Sequence, residues 1–596
     1  MANLNYYHDK LVQNFDTWCV WRIRIGMIRN LPRLRCSYCA WTLLRPVICY
    51  HTLLANGQIG KDMQEEPQNQ EQKEDLTSSV VRSTAFMTIA TMASRVTGLI
   101  RTWAMAFALG NTLMTSAYQV ANNLPNVIFE LVAGGLLSAA FPPVLMLERE
   151  RHGEAGFNRY GSNIMNICLV VLGALSLLAI VFAKPIIFTQ TFTIDQQADV
   201  SRYALRFFQI FALQIVFYGL GGVITGILNS RRSYFLTSIA PALNNVFVIA
   251  SFFAYIPLSQ IDPDLALIVL AVGTTMGVAA QFLIQIPALR KTGYKWEPVI
   301  DFKDPSIMET VKIAVPTLIF IVGNLIAFSC RNAFSLVGGD EGPSTLNYAW
   351  MWFQLPYGVV AVSLSRAMFT EMSDVSSKED WASLRSYVNR GIRGTLFLII
   401  PLAGMVFVMS TSLIQIFQAG AFNQDDVYTV SAILRLWVVG LPLYSILMYL
   451  YNTFASIRRF MAFALLNCVM VALQVLLYWL LCQPNVLVLS GVPVSDCIYY
   501  LVGSVAGLLL LRQYVGSVDA RSIIWLGARS LLATLVGCAA VAAFLAVVPL
   551  QPSIGAALLQ IVIGGILGLV VIFGICKLMR IEEMRIVDGI LARFKR

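Results

Sequence analysis

Apolar residues in this chain come in long, unbroken blocks, not in alternation. From Phe86 to Met579 one such block follows another, and short polar segments separate them. Many blocks reach the roughly 20 residues that a helix needs to cross a bilayer core. In lipid, each backbone N–H and C=O must be satisfied within its own segment, so these blocks read as helices. A membrane β-barrel would alternate apolar and polar residues with period two. The run from Ile167 to Phe182 does not alternate. The pattern predicts fourteen spans, at 84–109, 116–147, 162–183, 203–228, 236–256, 265–289, 307–336, 345–369, 388–413, 427–454, 461–481, 495–511, 526–548 and 555–577.

The polar segments orient these spans. Loops after even-numbered spans are cationic, with Arg149, Arg151 and Arg159, then Arg231 and Arg232, then Arg290, Lys291, Lys295 and Lys303. The same holds at Lys378 and Arg385, Arg458 and Arg459, Arg512 and Arg521, and Lys577, Arg580 and Arg585. Loops after odd-numbered spans carry acids instead: Asp262 and Asp264, Asp340 and Glu341, Asp425 and Asp426, and Asp496. Only the loop after span three brings cations, Lys184 and Arg202. Cationic loops stay on the cytoplasmic side. Both termini are therefore expected in the cytoplasm.

A weak internal repeat recurs at about 230 residues. Arg101 pairs with Arg331, Leu124-Pro125 with Leu355-Pro356, and Leu205-Arg206 with Leu434-Arg435. Arg231-Arg232 pairs with Arg458-Arg459, and Leu243-Asn244 with Leu466-Asn467. The five pairs occur in order within a six-span unit. Six is even, so both units enter the membrane in the same sense, related by a pseudo-two-fold axis along its normal. The expected fold is all-α and polytopic: a first six-helix bundle over 84–290, a second over 307–511, two additional spans within 526–577 and a tail from 578 to 596. Transporters with this plan bind substrate between the bundles and rock them about it.

Composition narrows the class. The chain is 57% hydrophobic and 13% charged, about half the charge of a soluble domain. Its net charge of +10 sits in the loops, so it speaks for topology and not for nucleic acid. Cys168, Cys330, Cys468 and Cys538 lie inside apolar runs and read as packing residues, not a disulfide framework. Residues 1–83 differ: they are basic, then rich in Gln and Glu, and read as a poorly ordered extension and linker. Cys36 and Cys39 form a CxxC, but no second well-spaced pair accompanies them, so no zinc site is expected. A chain starting at Met63 is expected to suffice. No phosphate-binding Gly-rich loop with a following Lys occurs, and no cofactor is expected.

Charges inside spans mark function more often than packing. Arg95 and Arg101 fall in span one, Glu130 in span two and Arg331 in span seven. Arg206, Arg366, Glu371 and Arg435 lie near span ends, where long side chains reach the interface. Arg95, Arg101 and Arg331 could pair internally with Glu130, or line a cleft for an anionic headgroup. A guanidinium suits phosphate because it stays charged and forks two donors toward two oxygens. Arg95 and Arg101 are six residues apart, about 120° around a helix, so one face cannot present both; one is expected to pair with Glu130. Pro125 is flanked by Asn122, Asn123 and Asn126 and followed by Gly134-Gly135, and Pro142-Pro143 come next. These residues predict breaks in span two and an inward-facing polar cluster. Pro316, Pro356 and Pro442 predict equivalent breaks in the second bundle.

These motifs resemble a known family. Ala93-Ser94-Arg95-Val96-Thr97-Gly98 through Arg101 is similar to the first helix of the lipid II flippases of the MurJ/MviN family. Asn123-Leu124-Pro125-Asn126, Glu130-Leu131 and Gly134-Gly135 are similar to their second helix, as in actinobacterial members. Gly226-Ile227-Leu228-Asn229 and Pro241-Ala242-Leu243-Asn244-Asn245 extend the likeness. The resemblance covers about 83–580. It implies a fold shared with multidrug and polysaccharide exporters, in the bacterial cytoplasmic membrane. The implied task is to move undecaprenyl-diphosphate-linked disaccharide-peptide between leaflets for peptidoglycan synthesis and cell shape. It implies a cationic central cavity and a lipid-tail groove along the last two helices. Membrane lipids and cell-wall synthesis proteins are the implied partners.

The sequence departs from proteobacterial members. Phe129 and Glu130 stand where those carry an arginine pair, and Trp350 and Met351 where they carry Asp-Arg. Arg331 is the candidate replacement for a lost cation. The expected substrate-binding set is Arg95, Arg101, Arg331, Asn122, Asn123, Asn126 and Glu130. A polyprenyl-linked polysaccharide exporter shares the cationic cavity. A drug/cation antiporter would carry unpaired acids in the first bundle, where Glu130 is the clear example. A membrane glycosyltransferase would cluster acids at one face, and a scaffold would not need arginines in its spans. A transporter, not an enzyme, fits best.

Overall fold

The computed structural model describes residues 90–131, 141–195, 197–547 and 553–594. The Cys36/Cys39 motif, Met63, the linker and Gly134-Gly135 lie outside them. Among the described residues, nine helices are long and apolar enough to cross a membrane, or eleven when two bent pairs each count as one span. The helices at the places of spans one, two and eight fall outside that count. They are the ones that carry Arg95 and Arg101, the asparagine cluster, and Gln354 with Arg366.

The first bundle comprises α1 (90–109), α2 (Leu113–Phe129), α3 (Phe141–Val181), α4 (Ala183–Thr191), α5 (Asp199–Phe211), α6 (Gln214–Ser230), α7 (Phe235–Ile261), α8 (Pro263–Leu283) and α9 (Gln285–Lys291). Within it α2 packs on α5, α3 on α6, and α7 on α8. The second comprises α10 (Pro305–Ser335), α11 (Gly342–Pro356), a π turn (Tyr357–Ala361), α12 (Val362–Ser377), α13 (Trp381–Val408), α14 (Ser410–Gln415), α15 (Gln424–Val438), α16 (Leu441–Ser456), α17 (Phe460–Leu481) and α18 (Gly491–Val515). Here α10 packs on α17, α17 on α18, and α13 on α16. The added pair, α19 (Ala520–Val547) and α20 (Ile554–Leu578), pack on each other, and α19 packs on α13. A short α21 (Met584–Phe594) closes the described chain.

The prolines behave differently from the sequence expectation. Pro125 sits inside a continuous α2, and Pro316 inside a continuous α10. Pro142 and Pro143 lie in helical backbone at the start of the described part of α3. The interruption between spans two and three is instead a kink at Gly153, with φ of 66°. Pro356 stands where α11 passes into the π turn. Only Pro442 sits at a sharp bend, opening α16 after a 53° turn from α15.

The repeat is present, but its register shifts. α5 and α6 bend by 45°, and α15 and α16 bend by 53° at the matching place. α6 and α16 both end on a left-handed arginine, Arg232 with φ of 59° and Arg458 with φ of 56°. Each is followed by an N–H that reaches back five residues, Ser233 to Leu228 and Arg459 to Phe454. This aligns Arg232, not Arg231, with Arg458. Asn245 approaches Gly98 as Asn467 approaches Gly323, which aligns Asn245, not Asn244, with Asn467. On that register Arg101 lies three residues beyond Gly98 and Arg331 eight beyond Gly323. The two arginines share equivalent helices at depths that differ by about 7.5 Å.

At one end the two bundles meet through backbone and polar contacts. Gly110, with φ of 68°, lies against Ala421, and Gly420, with φ of 61°, lies against Phe107. The Ala421 N–H donates to the Phe107 carbonyl at 3.0 Å. Tyr348 donates its hydroxyl to the Gly110 carbonyl at 3.0 Å, and Asn111 donates to Thr345 at 2.9 Å and accepts from Ser344. Gln190 reaches Ser329 at 2.5 Å and accepts from Asn332 at 2.9 Å. Elsewhere the linker between the bundles is strapped to α3, through Asn163 to Asp301 and Asn166 to Glu297, Val299 and Trp296. There α10 also meets α3 directly: Ser306 donates to Glu148 at 2.9 Å, and Thr310 shares a 2.6 Å hydrogen bond with Tyr160.

Candidate functional site

Two cavities lie below the seal, between α2 of the first bundle and α10 and α11 of the second. One is lined by Arg101 and Tyr118 from the first bundle, by Gln119, Asn122 and Asn123 of α2, and by Asn347, Trp350 and Met351 of α11. The other, of about 550 Å³, is lined by Asn123, Asn126 and Glu130 of α2 and by Asn324 and Arg331 of α10. Trp350, Gln354, Gln474 and Asp496 complete its polar wall. Asn123 and Trp350 border both, so the two are parts of one cleft.

Helix geometry explains the α2 side. Asn122, Asn123, Asn126 and Glu130 recur at spacings of three and four, which places them along one stripe. On the other side of α2, Ala117, Val120, Ala121, Leu124 and Pro125 are buried. The Asn126 amide donates to Glu130 at 3.1 Å.

The α10 side is built around Arg331. Its guanidinium carbon lies 5.0 Å from the Phe328 ring, 5.2 Å from Trp350 and 5.7 Å from Trp437. Three electron-rich faces stabilise a desolvated cation. The Arg331 Nε is buried without a hydrogen-bond partner, so donor capacity is left over for a ligand. Behind Trp437 lies Asp496, which accepts from the Trp437 indole at 2.9 Å, from Gln474 at 2.6 Å and from the Tyr478 hydroxyl.

The structure brings together six of the seven expected residues: Arg101, Asn122, Asn123, Asn126, Glu130 and Arg331. Arg95 lines neither cavity and is exposed on α1. The helical angle already required that Arg95 and Arg101 part company. The expected Arg–Glu130 pair does not form: among the described residues, neither Arg95 nor Arg101 reaches Glu130, which takes Asn126 instead. Arg101 itself has no ion-pair or hydrogen-bond partner among them.

Asp496 corrects the sequence reading. The charge pattern places it in a polar loop, but α18 begins at Gly491, and Asp496 is 1% exposed within it. Its three donors come from α15 and α17, so only the fold assembles the cluster. Two of the arginines near span ends find partners: Arg206 pairs with Asp264 at 2.5 Å, and Arg435 donates to Ser410 and Thr411 at 2.6 and 2.7 Å. Among the described residues no group of three or more metal-ligating side chains gathers. Cys168, Cys330, Cys468 and Cys538 are free thiols.

Known proteins share this architecture. The fold matches a solved lipid II flippase MurJ in an inward closed conformation, with a TM-score of 0.67 at 22% identity, over 83% of this chain and 99% of that one. An inward-facing multidrug resistance MATE family transporter of the MOP superfamily follows at a TM-score of 0.54 and 13% identity, over 72% and 94%. In sequence, the chain is 29% identical to a probable lipid II flippase MurJ of Rhizobium meliloti, covering 61% of this chain and 68% of that one. It is 28% identical to a probable lipid II flippase MurJ of Bdellovibrio bacteriovorus, over 74% and 84%. The sequence model of the family described as lipid II flippase MurJ matches residues 105–564, most of the chain, and on that extent the chain belongs to the lipid II flippase MurJ family.

Proposed function

We propose that this protein flips lipid II, the undecaprenyl-diphosphate-linked disaccharide-peptide precursor of peptidoglycan, from the inner to the outer leaflet by alternating access. The observation that carries this is the cleft between the bundles, lined by Arg101 and Arg331 and sealed at one end. A desolvated guanidinium with an unused donor suits an anionic diphosphate. The asparagine stripe of α2 offers donors and acceptors to sugar hydroxyls. Arg101, Arg331, Asn122, Asn123, Asn126 and Glu130 form the headgroup site; Arg95, exposed on α1, stands at its margin.

The sealed end carries Asp262, Glu341 and Asp425, and the opposite end carries Arg232, Arg459 and Arg512. By the positive-inside rule the sealed end faces outward and the opposite end faces the cytoplasm. Both termini are cytoplasmic in this reading, and the protein is a multi-pass protein of the bacterial cytoplasmic membrane. The bundles correspond to 84–290 and 307–511, with 526–577 as the added pair. Cell-wall synthesis proteins are its functional neighbours.

Depletion followed by a leaflet-resolved assay for lipid II tests the reading. Lipid II should accumulate in the inner leaflet. Undiminished arrival at the outer leaflet, in cells without a redundant flippase, would overturn it. Accumulation of a different polyprenyl-linked saccharide would reassign the substrate.

A further inference from the structure

Asp496 has no part in the function argued so far. It is almost fully buried, yet it lines the same cavity as Arg331. Each polar group that touches it can donate: the Trp437 indole N–H, the Gln474 amide and the Tyr478 hydroxyl. An indole nitrogen donates only, and an ionised carboxylate accepts only. The set therefore fits a carboxylate. Arg331 supplies the compensating charge without closing to ion-pair distance, because its guanidinium stacks over the same indole that donates to Asp496. The empty cleft thus holds a fixed cation with a fixed anion behind it.

The other titratable groups around Asp496 are Tyr478 on α17, Cys482 just after it, and Cys497, Tyr499 and Tyr500 on α18. Tyr444 of α16 and Glu130 of α2 border the cavity as well. Phenols and thiols ordinarily stay neutral near pH 7. Asp496 and Glu130 are therefore the acids of this cavity among the described residues.

The inference rests on the reading that a diphosphate enters beside Arg331. The diphosphate satisfies the guanidinium and leaves Asp496 facing like charge in a poorly solvated site. Two anions confined in this way do not both stay ionised. We infer that Asp496 takes up one proton when the diphosphate headgroup binds, so that Arg331 exchanges Asp496 for the substrate as its counter-ion. The proton comes from water in the cleft and ends on a carboxylate oxygen of Asp496. By reciprocity, protonating Asp496 tightens substrate binding by the same factor.

Calorimetry of lipid II binding to the full-length protein in nanodiscs tests this, in buffers of differing ionisation heat near pH 7.5. We expect about one proton taken up per lipid II, and an affinity that falls by up to about tenfold per pH unit across the titration. Asp496→Asn should bind lipid II without uptake and with a flat pH profile. Asp264→Asn, at the exposed pair with Arg206 away from the cavity, should keep the wild-type uptake. Binding to the unmodified protein with no proton uptake overturns the proposal, and this readout does not depend on any variant folding. Full uptake retained by a folded Asp496→Asn also overturns it and moves the proton elsewhere. If lipid II does not bind at all, the substrate reading fails first and takes this inference with it.

Discussion

Arg101 and Arg331 are both half-buried cations at the cleft, but their surroundings differ, and so should their variants. Arg101 has no partner to leave behind. Arg101→Ala should cost one charge-assisted contact with the diphosphate, about 1.5–3 kcal/mol, which is roughly a 10- to 100-fold loss in lipid II affinity, with little change in thermal stability. Arg331→Ala removes the charge that faces Asp496 and empties the space between three aromatic rings. An uncompensated buried charge costs about 3–5 kcal/mol, so this variant should lose both flipping and several degrees of melting temperature. Arg331→Lys should restore stability more than transport, because an ammonium keeps the charge but not the fork. Arg95→Ala should flip nearly normally. Equal effects of the two alanine variants on flipping and melting would refute this division. The arginines were legible in the sequence because charge inside an apolar run is conspicuous. Asp496 was not, because the apolar stretch before it hid the start of α18 and its donors lie 22 and 18 residues upstream on α17 and 59 upstream on α15.

The elements that close the cleft meet through two glycines with positive φ. At Gly420 a Cβ would collide with the Phe107 carbonyl, and at Gly110 one would come within 2.5 Å of the Ala421 carbonyl. Left-handed backbone costs other residues about 1–2 kcal/mol even without a clash. Gly420→Ala should therefore weaken the seal and shift the population toward an outward-open state by about tenfold or more. A cysteine at Asn347, which lines the cleft below the seal, should then react faster with an impermeant thiol reagent from outside. An unchanged rate would mean that the glycine contact does not hold the closed state. Helix positions were largely legible here, because apolar length fixes them. Kinks were not: proline predicts a break only where the helix lacks another way to satisfy the freed carbonyl. Pro125 and Pro316 lie within helices that continue, whereas the break at Gly153 falls in the polar segment that separates spans two and three in the sequence.

Across the whole molecule the six-span repeat was legible in outline and wrong in register. Identical dipeptides aligned Arg231 with Arg458 and Asn244 with Asn467, while turn geometry and helix contacts align their neighbours. A repeat conserves contacts and turns, not identities, so chance matches one residue away can mislead. The charge asymmetry is sounder, and the structure sharpens it. At the sealed end Arg202 is paired with Asp199 at 2.5 Å and Arg206 with Asp264 at 2.5 Å, so two of its few cations are matched by acids. At the opposite end Arg149 and Arg231 share the single acid Glu154, and Arg232, Lys291 and Arg512 are exposed besides. The excess of cations should hold that end in the cytoplasm. Cysteines introduced at Asp262, Glu341 and Asp425, all exposed at the sealed end, should label from outside intact cells. Cysteines at Arg232, Lys378 and Arg512 should label only after permeabilisation. Gly110 is a poorer probe than its loop position suggests, because it is buried against Ala421; a cysteine there should label only when the seal opens. Reversal of all six exposed positions would invert the topology and turn the sealed end toward the cytoplasm, so lipid II could not pass it from the inner leaflet in this conformation. Reversal of one alone would place an error in the span count at that loop.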